Sequence, residues 1–304
     1  MMKNILFVVM LGVLSIAVEA SPYTDIAEAC HNKDMKGCYE LGRHFQQRKD
    51  YTKSRRYFTM ACENGFDKAC IKLGVMYHYG KGIKKNLSKA SKYYKKVCDS
   101  GNGEGCSMMG VLEMKKKSGS TEQALVYFDR GCKKGDAFGC EKYAYYTKSD
   151  TYGTKDLKKS KESYIQACKL DKQECLTLAT AYAEGKKGFK KDSVKARKYY
   201  DRACSGKIKN HHNFKSAKAC YKLGNYYYSG KGVKRNYAKA KQYYLDSCTM
   251  QALGPRVAEG CNNLAVLYAK GKGVKKNRQK AKYYYRLSCE YGYDKACETF
   301  KSLK

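Results

Sequence analysis

Sixteen cysteines fall into eight close pairs along this chain: 30/38, 62/70, 98/106, 132/140, 168/175, 204/220, 248/261 and 289/297. The first members recur at intervals of 32, 36, 34, 36, 36, 44 and 41 residues. A closed globule has no reason to repeat at that period, whereas a stack of helix–turn–helix modules does. Between the cysteines the apolar residues keep helical rhythm. Cys70, Leu73, Gly74 and Tyr77 lie at i, i+3, i+4 and i+7, and Ala90, Tyr93, Tyr94 and Val97 form a second stripe that closes at Cys98. The frame returns in Cys220, Leu223, Gly224, Tyr227, then Ala240, Tyr243, Tyr244, Cys248. It returns again in Cys261, Leu264, Ala265, Tyr268, then Ala281, Tyr284, Cys289. The spacing predicts an all-α array of about seven helix pairs with a half-unit at each end.

Between the two helices of a unit stands a glycine-lysine loop: GKGIKKN at 80–86, GKGVKRN at 230–236 and GKGVKKN at 271–277. A phosphate-cradling Walker loop needs G-x-x-x-x-G-K-[ST] between a strand and a helix, and neither condition is met. The glycines are expected to end one helix and the Asn to cap the next. Other units use KKKSGS, TKSDTYGTKD or EGKKGFKKD in this slot. The lysines are expected to form a solvated rim.

Residues 1–20 carry Lys3, an apolar run from Ile5 to Val18, and small residues at Val18 and Ala20. This pattern reads as a secretory signal cleaved near Ala20, too short to span a bilayer. Residues 21–304 then form one repeat array in the periplasm or the medium. In such a compartment sixteen cysteines are most simply eight disulfides, and no C-x-x-C is present to favour zinc or redox chemistry. No cofactor or metal signature is present. His31, His44, His78, His211 and His212 form no metal motif.

Two local pairing schemes compete. One bonds across a helical hairpin, as Cys70 with Cys98; the other bonds across the turn joining units, as Cys62 with Cys70. Cys30 closes a helix that has no first partner, and Cys297 opens one that has no second. Hairpin pairing would orphan both, while turn pairing uses all sixteen: Cys30–Cys38, Cys62–Cys70, Cys98–Cys106, Cys132–Cys140, Cys168–Cys175, Cys204–Cys220, Cys248–Cys261 and Cys289–Cys297.

The frame C-x-x-L-G-x-x-Y, then G-x-G-V, then K-A-x-x-Y-Y and a closing Cys resembles the Sel1-like repeat, a relative of the tetratricopeptide repeat. Paired cysteines in each repeat behind a leader resemble the Helicobacter cysteine-rich (Hcp) family, over essentially all of residues 21–304. Glu113 and Thr147 depart from the frame where other units have Tyr, and the 204/220 and 248/261 gaps are enlarged. The resemblance implies a right-handed α/α solenoid, each repeat stapled by a disulfide. It also implies binding of penicillin-type ligands with weak beta-lactamase activity, so a beta-lactam or a peptidoglycan-derived small molecule joins the candidate ligands. The residues themselves offer no S-x-x-K and no S-D-N; Lys117-Ser118-Gly119 resembles K-T-G but lies alone in a variable loop.

In the tetratricopeptide relatives the first helices line a concave surface that holds ligands. With Leu73 and its equivalents as core anchors, the inward positions are Tyr39, Arg43 and Gln46; Ile71, Val75 and His78; and Ser107, Val111 and Met114. They continue with Glu141, Tyr145 and Lys148; Leu176, Thr180 and Ala183; Tyr221, Asn225 and Tyr228; and Asn262, Val266 and Ala269. Asn225 and Asn262 each bring a donor and an acceptor suited to a peptide backbone, and Tyr221 and Tyr228 add flat amphipathic surface. A peptide or protein partner in that groove is the expectation for a monomeric array, with a host- or envelope-directed interaction module without catalysis as an alternative. The net charge of +34 raises polyanion capture as an alternative. Its lysines recur in every unit instead of gathering on one helix, and export argues against nucleic acid.

Overall fold

The structure, a computed structural model, describes residues 22–116, 119–148, 155–205, 214–249 and 257–303. The leader, Lys117, Ser118, His211 and His212 lie outside the described residues. Sixteen α-helices and one 3₁₀ turn, Lys172–Glu174, make up the regular structure among the described residues, with no strand. In chain order the helices begin with α1 (Pro22–His31), α2 (Met35–Gln47), α3 (Tyr51–Glu63), α4 (Asp67–Tyr79) and α5 (Leu87–Asp99). Next come α6 (Gly103–Glu113), α7 (Thr121–Lys133), α8 (Ala137–Thr147), α9 (Leu157–Leu170), α10 (Cys175–Glu184) and α11 (Ser193–Cys204). The last five are α12 (Phe214–Ser229), α13 (Tyr237–Thr249), α14 (Ala258–Lys270), α15 (Arg278–Glu290) and α16 (Asp294–Ser302).

The chain forms two compact units, residues 1–90 and 91–304, divided within α5. In the first, α1 packs on α2, α2 on α3 and α3 on α4. In the second, each helix from α6 to α16 packs on its successor, and α6 also touches α8 and α10 touches α12. Contacts that reach only neighbours are the mark of a repeat array, in which no module buries its apolar face alone.

Each second helix drives one aromatic ring into the core: Phe58, Phe128, Tyr164, Tyr200 and Tyr244 are buried almost completely. The ring fits because the facing first-helix residue is small. A Cβ built on Gly224 would lie 2.5 Å from the Tyr244 ring, and Gly42 and Gly110 stand in the same relation to Phe58 and Phe128.

A second motif accounts for many of the tyrosines and for one lysine in each of three repeats. The frame tyrosine stacks on the tyrosine that precedes the buried one on the second helix: Tyr182 on Tyr199, Tyr227 on Tyr243 and Tyr268 on Tyr284, at 5.6, 5.4 and 5.7 Å. Above the same frame rings sit Lys195, Lys239 and Lys280, with Nζ 5.5, 5.4 and 5.5 Å from the centroids. The backbone N–H of each of these lysines donates to the helix-capping Asp192, Asn236 or Asn277. In these three units one lysine therefore completes both a cap and a cation–π contact. All three lysines stay exposed while making these contacts.

All sixteen cysteines are bonded, in eight disulfides across the turns between units: 30–38, 62–70, 98–106, 132–140, 168–175, 204–220, 248–261 and 289–297. Eight such bonds fit an oxidising, extracytoplasmic compartment. No helix among the described residues is long and apolar enough to cross a membrane.

Candidate functional site

The loop after each first helix sets the position of the side chains on that helix. In the unit of α14 and α15, Gly271 ends α14 in the left-handed region, φ 67°. Gly273, φ 69°, then presses on the start of the neighbouring second helix: a Cβ there would lie 2.5 Å from the Tyr237 Cβ and 2.8 Å from its carbonyl carbon. The GKG loop is a joint between repeats, and it fixes the register of α14 against α13.

That register builds a polar seam across α12, α13 and α14. The Tyr244 hydroxyl donates to Asn225 Oδ1 at 2.7 Å, and Asn263 Nδ2 donates to the same oxygen at 3.0 Å. Asn262 Nδ2 in turn donates to Asn263 Oδ1 at 3.4 Å. Burial holds the Tyr244 phenol well above its ordinary pKa, so it stays a donor across the physiological range. Two donors on one oxygen fix which way the Asn225 amide points. Its Nδ2 hydrogens have no partner among the described residues, and neither has Asn262 Oδ1. The seam therefore offers an oriented donor and an oriented acceptor. Tyr221 lies beside it, 6.5 Å from the Tyr244 ring, and Tyr228 packs edge-on against Tyr237 at 5.3 Å. Lys272 Nζ donates to the Tyr228 hydroxyl at 3.3 Å and closes that end with a positive charge.

The other expected positions are less uniform. Thr180 approaches the Tyr200 hydroxyl at 3.4 Å, the same second-helix position that Asn225 meets. Tyr145 is 41 % exposed under Lys148, whose Nζ lies 3.8 Å from its ring centroid. Val266 is half-buried against the last core cluster. Arg43 pairs with Glu40 at 3.0 Å, while Tyr39 packs its ring on Phe58 and Phe66 and is thereby turned to the turn side of its helix. Val75 is half-buried.

Three positions are corrected. His78 is buried, 3 % exposed and stacked on Tyr79 at 4.4 Å, so it cannot present itself to a ligand. Ile71 and Ser107 are buried too. For Ser107 the cause is local: Gly131 and Gly139 on α7 and α8 would place Cβ atoms 2.2 and 2.4 Å from its Oγ, and the hydroxyl fills the gap they leave. Conversely, Asn263 and Tyr244 belong to the seam though neither was among the expected positions. The doublet Asn262-Asn263 was the available signal for the first. Among the described residues no group of three or more His, Cys, Asp or Glu side chains is arranged to hold a metal ion.

The Sel1 repeat family model matches residues 36–66, 67–102, 176–207, 217–250 and 258–293, more than half of the chain. It passes over α6–α9, where Glu113 and Thr147 replace the frame tyrosine. Buried Glu113 instead pairs with Lys116 at 2.5 Å, and Thr147 Oγ1 donates to the Tyr143 carbonyl at 2.8 Å. Among solved structures, a Sel1 repeat protein from Oxalobacter formigenes aligns with TM-score 0.64 at 18% identity, over 92% of this chain and 79% of that one. A protective antigen of uropathogenic Escherichia coli displaying an SLR fold aligns with TM-score 0.55 at 21% identity, over 93% and 67%. In sequence, the chain is 36% identical over 55 residues to the Helicobacter pylori protein named "Putative beta-lactamase HcpC". That match spans 18% of this chain and only 19% of the relative. The frame, the helical repeats and the family match agree: the chain belongs to the Sel1 repeat family.

Proposed function

We propose that this protein is an exported Sel1 repeat module that captures an extended segment of a peptide or protein along the first-helix positions of α12 and α14. The carrying observation is the oriented amide pair. Asn225 Nδ2 can donate to a ligand carbonyl and Asn262 Oδ1 can accept from a ligand N–H, the two groups a strand of backbone offers in alternation. Tyr221 and Tyr228 supply surface for the side chains between. Export through a leader at residues 1–20, with residues 21–304 as one array acting as a monomer, belongs to the same reading; the eight disulfides support the oxidising compartment that export requires.

Panning a display library of unstructured peptides on the oxidised protein tests this. Enriched peptides are expected to lose at least tenfold in affinity for Asn225→Asp, which keeps the oxygen that Tyr244 and Asn263 need and removes the N–H donors. Peptides that bind this variant as well as wild type would overturn the assignment.

The name of the Helicobacter relative brings a second reading, beta-lactam binding with slow hydrolysis, which rests on the local match alone. Turnover of a chromogenic cephalosporin by the oxidised protein is its direct test.

A further inference from the structure

The loop between α10 and α11 departs from the others. It runs Gly185–Asp192 with one residue more than the GKG loops, and it carries Phe189 where they carry Ile83, Val233 or Val274. Phe189 turns inward, 7 % exposed, with its ring 4.7 Å from Tyr182. Gly188, φ 76°, has no side chain to obstruct α9: a Cβ there would lie 3.0 Å from Lys161 Cε. Lys161 therefore crosses the loop and reaches the same place as Lys190 and Lys191.

These three lysines and Lys195, with Ile165, Tyr182 and Phe189, line an open cavity of about 420 Å³. One carboxylate, Asp192, lies in its wall and is already engaged. It accepts from the Lys195 backbone N–H at 2.8 Å and pairs with Lys195 Nζ at 3.5 Å. No ion pair reaches Lys161, Lys190 or Lys191 among the described residues. Three ammonium groups around one mouth repel each other, and an anion placed between them relieves that repulsion. Lysine binds phosphate as a compact point charge with three rotatable donors, and several such charges around one site suit a dianion. The apolar floor rules out indifference to what carries the charge, since a ring can lie on Tyr182, Phe189 and Ile165.

We propose that this cavity is a binding site for a dianionic phosphate monoester carried on a ring. It lies outside the seam of α12–α14 and does not depend on the peptide reading.

Calorimetric titration of the intact oxidised protein with phenyl phosphate, inorganic phosphate and phenol tests it. Phenyl phosphate is expected to bind saturably at one site, at least fivefold more tightly than inorganic phosphate, with no detectable binding of phenol. The double variant Lys190→Ala/Lys191→Ala is expected to weaken phenyl phosphate at least fivefold. The control Lys275→Ala/Lys276→Ala, in the α14–α15 loop, should leave it unchanged, and Phe189→Leu should narrow the preference over inorganic phosphate. Equal weakening by both lysine pairs would show a diffuse charge effect and overturn the site. Equal affinity for inorganic and phenyl phosphate would overturn the ring-bearing ligand.

Discussion

Asn225 illustrates how one residue can be both structural and available. Its oxygen satisfies a buried tyrosine hydroxyl and a neighbouring amide, and its nitrogen has no partner among the described residues. Truncation should expose the first role. Asn225→Ala leaves the Tyr244 hydroxyl, on a residue 1 % exposed, without its acceptor and is expected to cost about 1–3 kcal/mol of unfolding free energy. Asn225→Asp should retain most of that stability while losing peptide capture, and urea denaturation of the two variants separates the roles. Equal destabilisation by both would show that the amide orientation described here is not the one that matters. Helical spacing singled out Asn225 and Asn262, which the structure links through Asn263. The partnership with Tyr244 and Asn263 was not legible. It depends on the height at which one repeat meets the next, which spacing within a repeat does not contain. His78 and Ser107 were misplaced for the related reason that burial at the edge of a helix depends on what the neighbouring helix omits, as Gly131 and Gly139 do beside Ser107.

At the scale of elements, the loop and the cap act together. The first glycine ends a helix, the second lets the loop press on the neighbouring repeat, and the Asn or Asp that follows starts the next helix. The sequence announces the first and third of these, since a C-terminal glycine and an N-cap Asn are local signals. The second is a contact between repeats and carries no local signal; only the structure shows Gly273 against Tyr237. A comparison of two glycines isolates it. Gly273→Ala combines a left-handed backbone with a Cβ at 2.5 Å from Tyr237 and is expected to lose about 2–4 kcal/mol. Gly292→Ala has φ 86° but nothing within 4 Å of its added Cβ, so about 1–2 kcal/mol of backbone strain is all it should lose. Equal losses in chemical denaturation would mean that the joint contributes nothing beyond backbone conformation.

Across the whole molecule, tyrosines take the place that other proteins give to Leu, Phe and Trp, and this has a pH consequence. Burial, then the neighbouring Tyr200, pushes Tyr226 up to about 12; burial, then Asp201, pushes Tyr243 up to about 12. Tyr164 and Tyr244 are displaced in the same direction by burial. A phenol whose folded pKa lies above its unfolded value of 10.0 stabilises the fold fully below pH 10. That contribution is lost as pH rises from about 10 through the folded pKa near 12. Stability is expected to be flat with respect to these groups from pH 7 to 9 and to fall between pH 10 and 12, measured by urea titration at each pH. A fall already complete below pH 9 would show that tyrosine ionisation is not its cause. Loop-closure entropy assigns each short disulfide about 2–3 kcal/mol, in a model-dependent way, and each joins the end of one unit to the start of the next. The seam and the joints between repeats both require that arrangement. Peptide mapping of the unreduced protein measures it directly. The account predicts eight linked peptides, each joining cysteines adjacent in sequence as 30–38 through 289–297, and no free thiol. A Cys70–Cys98 linkage, or unbonded thiols at several turns, would contradict it.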